Sequence, residues 1–243
     1  MKVAVVGKSA HLVKVPLKEH GFTVVKKNPD LVISFGGDGT SLYGERVYPG
    51  IPRVLIRHSK ICKTCPKHDY ATIFNALKAG KYSIVEQLKL EARINNLPQR
   101  FIALNEIDIH HKVPHAVRLQ VSINGRIIKE LVIGDGVLVA TPHGSTAYFN
   151  SMTGKSFSKG LGIAFNNAVT RDKPLFADEN AVIKVKVLRG PALLVSDNSH
   201  KMPMLEAGDV ITIRKSSQKA RIVKIMDKQV KLLRGNFVAI KDI

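Results

Sequence analysis

The hydrophobic pattern of the chain changes in character near residue 80. Before that point, short apolar runs such as Val3–Val6, Leu31–Phe35 and Arg53–Ile56 alternate with helix-compatible stretches such as Tyr70–Leu77. An unbroken apolar run is typical of a strand that is covered on both faces, and strand–helix alternation favours a parallel sheet. The pattern therefore predicts a parallel α/β domain at the amino-terminal end.

Residues beyond Ser83 follow the two-residue period of half-buried strands. The segment Val117–Ile123 alternates apolar and polar side chains, and Asn124-Gly125 then supplies a two-residue hairpin turn. Further short strands of this kind are predicted as far as residue 213, a series that suggests an antiparallel sandwich. We therefore predict two domains: an α/β domain over residues 1–82, joined by residues 218–243, and a β-sandwich domain over residues 83–217.

The net charge of the chain indicates which partners it attracts. Its 243 residues include 38 Lys and Arg against 19 Asp and Glu, a formal charge of +19. Such a field attracts polyanions, which include nucleotides, polyphosphate, nucleic acid and anionic membranes. Nucleic acid is the less favoured of these, because the chain has no Trp and no recognised nucleic-acid-binding module. No apolar run approaches the ~18 residues of a spanning helix, so we expect a cytoplasmic protein without membrane contact.

A glycine-rich segment with one acidic residue, Gly36-Gly37-Asp38-Gly39-Thr40, follows the second of the apolar runs. Ligands of open α/β sheets bind at the carboxyl ends of the strands, and glycines let phosphates approach the backbone N–H groups. Thr40 can cap the helix that follows, whose amino end favours anions. Asp38 would repel phosphate, and a reason for its presence is to take the proton of a substrate hydroxyl during phosphoryl transfer. The alternative is a tight turn in which Asp-Gly supplies only geometry.

Three motifs carry a resemblance to a known family. The segment Gly36–Thr40 resembles the GGDGT motif that NAD kinases and diacylglycerol kinases share. Asn105-Glu106 resembles the Asn-Glu pair of NAD kinases, and residues 134–148, GDGVLVATPHGSTAY, are very similar to the second signature of that family. Lipid kinases lack this pairing. The chain is thus identified as a member of the NAD kinase family or a close relative.

The resemblance implies a fold and an activity. NAD kinases have an amino-terminal Rossmann-like parallel α/β domain and a carboxy-terminal β-sandwich domain, which agrees with the pattern of the chain. They transfer the terminal phosphate of ATP, or in some cases of polyphosphate, to the 2′-hydroxyl of the adenosine ribose of NAD. Mg²⁺ or another divalent cation accompanies the donor, and we assign no protein residue as a metal ligand. The family forms homodimers or homotetramers in which a neighbouring subunit completes the dinucleotide site.

The resemblance also implies roles for particular residues. Asp38 matches the general base, and four neighbours match the loop that approaches the phosphoryl donor: Gly36, Gly37, Gly39 and Thr40. The positions that match contacts to NAD are Asp38, Gly39, Asn105, Glu106, Asp135, His143, Thr146, Ala147, Tyr148 and Ser151. Independently of the resemblance, Ser145 or Thr146 can cap a helix whose amino end faces the dinucleotide, and Tyr148 can offer its ring to a base. The alternative is an ordinary helix start with a core tyrosine.

Several stretches depart from the family pattern. Leu55–Cys62, which reads LIRHSKIC, stands where the family usually has a GINxGxLGF-like segment that helps to line the nucleotide site. Residues 153–156 and 196–198 also depart, and we assign no functional residue there. The missing glycines motivate an alternative function, a related kinase that phosphorylates another hydroxyl, such as that of a nucleoside or lipid.

A Cys-x-x-Cys pair lies within the departing region. Cys62 and Cys65, together with His58 and His68, have the residue types of a four-ligand zinc site, but the spacing is tighter than in familiar zinc modules. A redox pair is a second reading, and two structurally incidental thiols are the favoured one. The histidines at 110, 111 and 115 are expected at surface or subunit-contact positions.

Overall fold

The computed structural model describes residues 1–60, 62, 65, 66 and 68–226. The chain divides into two compact units. The α/β unit comprises Met1–Gly44, Ile51–Val85 and, among the described residues, 221–226. The sandwich unit comprises Glu45–Gly50 and Glu86–Ala220.

Helices and strands alternate in the first part of the chain, and strands predominate in the remainder. The first part contains β1 (Lys2–Val6), α1 (Lys14–Glu19), β2 (Thr23–Val24), β3 (Leu31–Gly36), α2 (Asp38–Val47), β4 (Arg53–Arg57) and α3 (Tyr70–Lys78). The remainder contains β5 (Tyr82–Ile94), β6 (Phe101–Ala103), β7 (Glu106–His111), β8 (Val117–Ile123), β9 (Arg126–Gly134), β10 (Gly136–Ala140), α4 (Tyr148–Thr153), β11 (Leu161–Asn166), β12 (Leu175–Ala177), β13 (Ile183–Arg189), β14 (Ala192–Ser196), β15 (Met204–Leu205) and β16 (Val210–Ile225). Short 3₁₀ turns cover Ala10–Val13 and Gly144–Thr146.

The α/β unit is built on parallel strands. Its strands lie in the order β2-β1-β3-β4, and the end of β16 pairs with β4 at Ile222↔Arg53. Every residue of β3 is buried, as expected for a strand covered on both faces. Its apolar side chains pack with those of α3, where Ile73, Phe74 and Leu77 are buried. The parallel α/β prediction is confirmed, whereas residues 227–243 of the predicted carboxy-terminal return lie outside the described residues.

The sandwich unit contains antiparallel strands in two layers. Six strands lie in the order β12-β11-β10-β7-β14-β15, and a second set pairs β16 with β13, β13 with β8 and β8 with β9. Apolar side chains from both layers form one buried cluster that includes Leu90, Ile109, Val139 and Ile213. The β-sandwich prediction is confirmed.

The β8–β9 hairpin shows how the local sequence sets the register of the sandwich. Asn124 and Gly125 have φ values of 51° and 82°, the left-handed backbone that a two-residue hairpin turn requires. The turn places Ile123 opposite Arg126 and fixes the pairing of both strands. Among the described residues, no helix is long and apolar enough to cross a membrane.

Candidate functional site

The glycine-rich segment forms the junction between β3 and α2. Gly36 ends the strand and Asp38 begins the helix. The carbonyl oxygen of Gly37 accepts hydrogen bonds from the N–H groups of Thr40 (2.9 Å) and Ser41 (3.2 Å). Thr40 is therefore the third residue of the helix, and the expectation that it caps the helix is wrong. Its side chain packs instead against Gly36, where any Cβ would overlap it.

Asp38 occupies the first turn of α2, at the carboxyl edge of the parallel sheet. The amino end of a helix carries a partial positive charge that stabilises a carboxylate in its first turn. Asp38 is half-buried at this edge, and ligands of open α/β sheets bind over the carboxyl ends of such strands. The position thus suits a proton acceptor, and the role remains a prediction.

The Cys-x-x-Cys pair lies on this same junction. Cys62 and Cys65 form a disulfide, with the Cys62 Sγ 3.5 Å from Asp38 Oδ1 and the Cys65 Sγ 3.8 Å from the carbonyl oxygen of Gly36. The backbone N–H of His58 donates to that carbonyl oxygen at 2.9 Å. The interpretation of two incidental thiols is therefore wrong, because the two cysteines form a disulfide that packs against the glycine-rich loop. Both sulfur atoms that a zinc site would need as ligands are part of this disulfide. The available signal was positional: parallel strands end at one edge, and the pair follows the end of β4.

A second set of predicted residues is assembled around the turn that precedes β7. The carboxylate of Asp197 accepts hydrogen bonds from the N–H groups of Leu104 (2.8 Å), Asn105 (2.8 Å) and Glu106 (3.2 Å). Three donors on one carboxylate fix the conformation of this turn. Asp197 lies in one of the stretches to which we assigned no function, and it supports the Asn-Glu pair from the end of β14.

The loop that follows β10 is bonded to the same turn. Thr141 donates its N–H to the carbonyl oxygen of Asn105 (2.8 Å) and its hydroxyl to that of Leu104 (2.6 Å). The Thr141 hydroxyl in turn accepts from the N–H of Gly144 at 3.0 Å. A Cβ at Gly144 would overlap the backbone of Asn105, so only glycine fits. Two motifs that are far apart in the sequence therefore form one backbone platform.

Two carboxyl groups on β7 face away from the sandwich core. Since Ile107 and Ile109 are core residues, the side chains of Glu106, Asp108 and His110 point to the opposite face of the strand. Glu106 Oε2 and Asp108 Oδ1 are buried and lack a hydrogen-bond partner among the described residues. Burial of such acceptors is costly unless a ligand or water donates to them. They indicate a site for a ligand that carries hydroxyl or amino groups.

The environment perturbs both of these acids. Burial, with smaller contributions from the charges of Asp197 and Asp108, raises the pKa of Glu106 to about 8. Burial raises the pKa of Asp108 to about 6, against the opposing influence of His110. Burial also raises the pKa of Asp197 although three N–H groups donate to it. At neutral pH the Glu106 carboxyl is therefore largely protonated and able to donate a hydrogen bond, while Asp108 is largely ionised.

Tyr148 stands beside these acids at the start of α4. Its hydroxyl accepts a hydrogen bond from the Asn166 side chain at 2.9 Å, and its pKa is raised by burial and by the charge of Asp108. Part of the ring remains exposed. Asp108 and Asn166 were missed by sequence reasoning. The alternation of residues 106–110 would have placed Asp108 on the face away from the core, but no local signal pairs Asn166 with Tyr148.

Asp135 lies at the β9–β10 junction, close to the histidines of β7. It accepts a hydrogen bond from the Asn167 side chain at 2.6 Å, and its Oδ1 lies 3.3 Å from His111 Nδ1. His110 and His111 are half-buried and His115 is exposed, and the rings of His110 and His111 pack edge-on.

The remaining predicted residues lie along the loop and α4. Neither Ser145 nor Thr146 caps this helix, because its N-cap is Ala147, which makes no side-chain capping bond. Ser145 is buried, and its hydroxyl lies within 2.9 Å of the carbonyl oxygens of Pro142 and Phe157. The Ser151 hydroxyl donates to the carbonyl oxygen of Ala147 at 3.3 Å. The predicted NAD contacts of His143, Thr146, Ala147 and Ser151 remain predictions.

The candidate residues thus form two groups, one in each unit. The α/β unit holds residues 36–40 together with the disulfide, and the sandwich unit holds the platform, the buried acids and Tyr148. The first group offers a carboxylate beside a phosphate-compatible loop. The second offers a polar surface with an aromatic ring.

Comparison with known proteins gives consistent results. Residues 104–225 match the family model of the ATP-NAD kinase C-terminal domain. The NAD kinase of Sulfurisphaera tokodaii is 33% identical over 219 residues, which cover 85% of this chain and 86% of that protein. Among solved structures, yeast NADH kinase complexed with NADH has a TM-score of 0.76 at 20% identity, over 90% of this chain and 73% of that one. An NAD kinase from Archaeoglobus fulgidus in complex with ATP has a TM-score of 0.74 at 22% identity, and the match covers 97% of this chain and 98% of that one.

Proposed function

Because the chain belongs to the NAD kinase family, we propose that it transfers the terminal phosphate of ATP to the 2′-hydroxyl of the adenosine ribose of NAD, giving NADP. The observation that carries the proposal is the platform around Asn105 and Glu106, bonded to the loop that leads to Tyr148. Its buried carboxyl oxygens suit the hydroxyl and amino donors of a nucleoside. The complexes of the two neighbours, with NADH and with ATP, support the same pair of ligand classes.

Asp38 is the proposed general base. It takes the proton of the ribose hydroxyl as that oxygen attacks the terminal phosphorus of the donor, and the phosphorus–oxygen bond to the leaving diphosphate breaks. The glycines around it let the backbone N–H groups approach the donor phosphates. Phosphoryl transfer depends chiefly on positioning and on neutralising charge, which a helix amino end and a basic chain also serve.

A divalent cation, Mg²⁺ in our proposal, would neutralise charge on the donor phosphates. The described residues contain no group of three or more His, Cys, Asp or Glu side chains arranged to hold a metal ion. Mg²⁺ in such enzymes commonly binds phosphate oxygens and keeps several water ligands.

The finer parts of the proposal rest on the family resemblance. They are a homodimer or homotetramer, a cytoplasmic location, and polyphosphate as a second donor. Acceptors other than NAD, such as a nucleoside or lipid, are not favoured, since curated relatives at 28% and 33% identity are NAD kinases. A nucleic-acid-binding role lacks support of this kind.

The test is an assay of NADP formation from NAD and ATP–Mg²⁺, with polyphosphate as donor in a second arm. We expect Asp38→Asn to lower kcat by roughly 10²–10⁴-fold, the usual contribution of a general base, with the affinities for NAD and ATP nearly unchanged. Glu19→Gln, which alters an exposed carboxylate of α1, is the matched control and should keep full activity. Activity of Asp38→Asn within a few-fold of the wild type would remove Asp38 from this role.

A further inference from the structure

The sandwich unit has an open cavity of about 490 Å³ that none of the three motifs explains. Its lining includes Glu91, Arg93, Arg100, Arg214, Lys215 and Ser217. Adjacent strands bring these side chains together, because β5 carries residues 91 and 93 and pairs both with β6, which Arg100 precedes, and with β16, which carries Arg214. Four cationic side chains therefore surround one acidic side chain.

The carboxylate of Glu91 lies close to three of the cationic groups that line the cavity. Its side chain is 5% exposed, and its Oε1 accepts from Arg214 Nε (3.0 Å) and Nη2 (2.8 Å). Arg93 Nε and Arg100 Nη1 lie 3.7 Å from the same carboxylate, beyond hydrogen-bond distance. One carboxylate thus holds three guanidinium groups in place and uses the hydrogen-bonding capacity of only one.

The guanidinium groups of the cavity keep donors that Glu91 does not use. The side chains of Arg93, Arg100 and Arg214 are 34%, 45% and 52% exposed, which leaves N–H groups that do not face Glu91 open to a ligand. The charge of Lys215 is neutralised by Glu179, whose carboxylate lies 2.6 Å from the Lys215 ammonium. The three arginines and Glu91 then leave a net charge of two positive units in the cavity. Guanidinium groups bind phosphate oxygens through paired N–H donors and are weakly hydrated, so little energy is lost when a phosphate displaces water from them.

We propose that this cavity is a binding site for a small oligophosphate, a ligand with two or three linked phosphate groups. A single phosphate would meet one or two of the guanidinium groups, whereas a short phosphate chain reaches all three. The volume lies within the range of small-molecule sites, which favours a compact anion. Inorganic oligophosphate and the phosphate tail of a nucleotide share this chemistry, and separate arms of the test distinguish them.

Isothermal titration calorimetry with inorganic tripolyphosphate tests the proposal. Since the kinase site would also take this ion, the titration compares variants rather than relying on the wild type alone. Arg100→Gln removes one guanidinium whose side chain is 45% exposed and so should leave the fold intact. We expect it to weaken the cavity-dependent binding step about tenfold, the loss of one charge-assisted hydrogen bond. Arg126→Gln changes the net charge equally at an exposed position outside the cavity and serves as the matched control.

The outcomes separate the possibilities. Weaker binding in Arg100→Gln with unchanged binding in Arg126→Gln supports the site, and a KM for ATP that stays at the wild-type value shows that it is distinct from the donor site. Repeating the titration with ATP and with orthophosphate identifies which source of phosphate binds more tightly. Equal binding by both variants at 150 mM salt would overturn the proposal, because the field of the whole chain would then explain the affinity.

Discussion

The buried carboxyl of Glu106 makes a quantitative prediction about stability. Its pKa is raised from 4.5 to about 8 in the folded protein, so the folded state binds the proton more tightly than the unfolded state. Below pH 4.5 both states are protonated and the group contributes nothing to the pH dependence. As the pH rises from 4.5 to 8, the unfolded state gains stability by losing the proton, and the free energy of unfolding falls.

Glu106→Gln removes this ionisation while keeping the shape of the side chain. One pKa unit corresponds to about 1.36 kcal/mol, so the variant should gain up to about 3 kcal/mol over the wild type at pH 7 and up to about 5 kcal/mol at pH 9. At pH 4 the difference should vanish. Because the charges of Asp197 and Asp108 contribute to the raised pKa of Glu106, the difference between the two proteins measures the ionisation of Glu106 together with its coupling to these two acids.

Urea unfolding of the ligand-free protein from pH 4 to pH 9 measures this difference. Far-UV circular dichroism is the appropriate signal, since the chain contains no Trp. Glu206→Gln changes an exposed carboxylate of the same unit and should give a difference that does not vary with pH. The prediction is refuted if the stability difference between Glu106→Gln and the wild type at pH 9 lies within about 0.5 kcal/mol of the difference at pH 5. The Glu106 carboxyl would then ionise in the folded protein as readily as in the unfolded chain.

Two further predictions concern the backbone platform and the disulfide. Gly144→Ala should lower the free energy of unfolding by about 1–3 kcal/mol, because the new Cβ displaces the backbone of Asn105. The variant should also bind NAD more weakly while its affinity for ATP falls less. Urea unfolding and titration with each nucleotide measure these effects, and equal losses of affinity for both nucleotides would contradict the prediction. Replacing Cys62 and Cys65 together by Ala should lower stability by at most about 2 kcal/mol, the contribution of a four-residue loop closure, and should reduce turnover by loosening the loop against which the disulfide packs. Dithiothreitol should lower the turnover of the wild type to that of the double variant. If dithiothreitol lowers the turnover of the double variant as much as that of the wild type, the prediction is contradicted.

The parts of the fold that the sequence predicts are those set by neighbouring residues. The uninterrupted apolar run of β3 and the Asn124-Gly125 turn each determine local structure wherever they occur. The helix that follows the glycines was likewise predicted. Its start was not, because the helix begins at Asp38, two residues before Thr40, and the Gly37 carbonyl oxygen accepts its first backbone hydrogen bonds.

The parts that the sequence did not predict depend on contacts between distant positions. The position of Cys62 against Asp38 follows from the parallel pairing that sets Gly36 opposite Arg57. The bond between Asn166 and Tyr148 requires the β10–β11 pairing. A local sequence pattern does not determine strand pairings of this kind. The motifs therefore predicted the position of the candidate site but not the side chains that support it.

The three hydrogen bonds from residues 104–106 to Asp197 link positions that are 91 to 93 residues apart. Contacts of such long range require that the entropy of closing a long loop be offset before they stabilise the chain. A partly unfolded chain therefore lacks the platform that these residues form, however much of its local structure is present. A ligand that binds this platform would bind only the completed fold and would stabilise it by mass action.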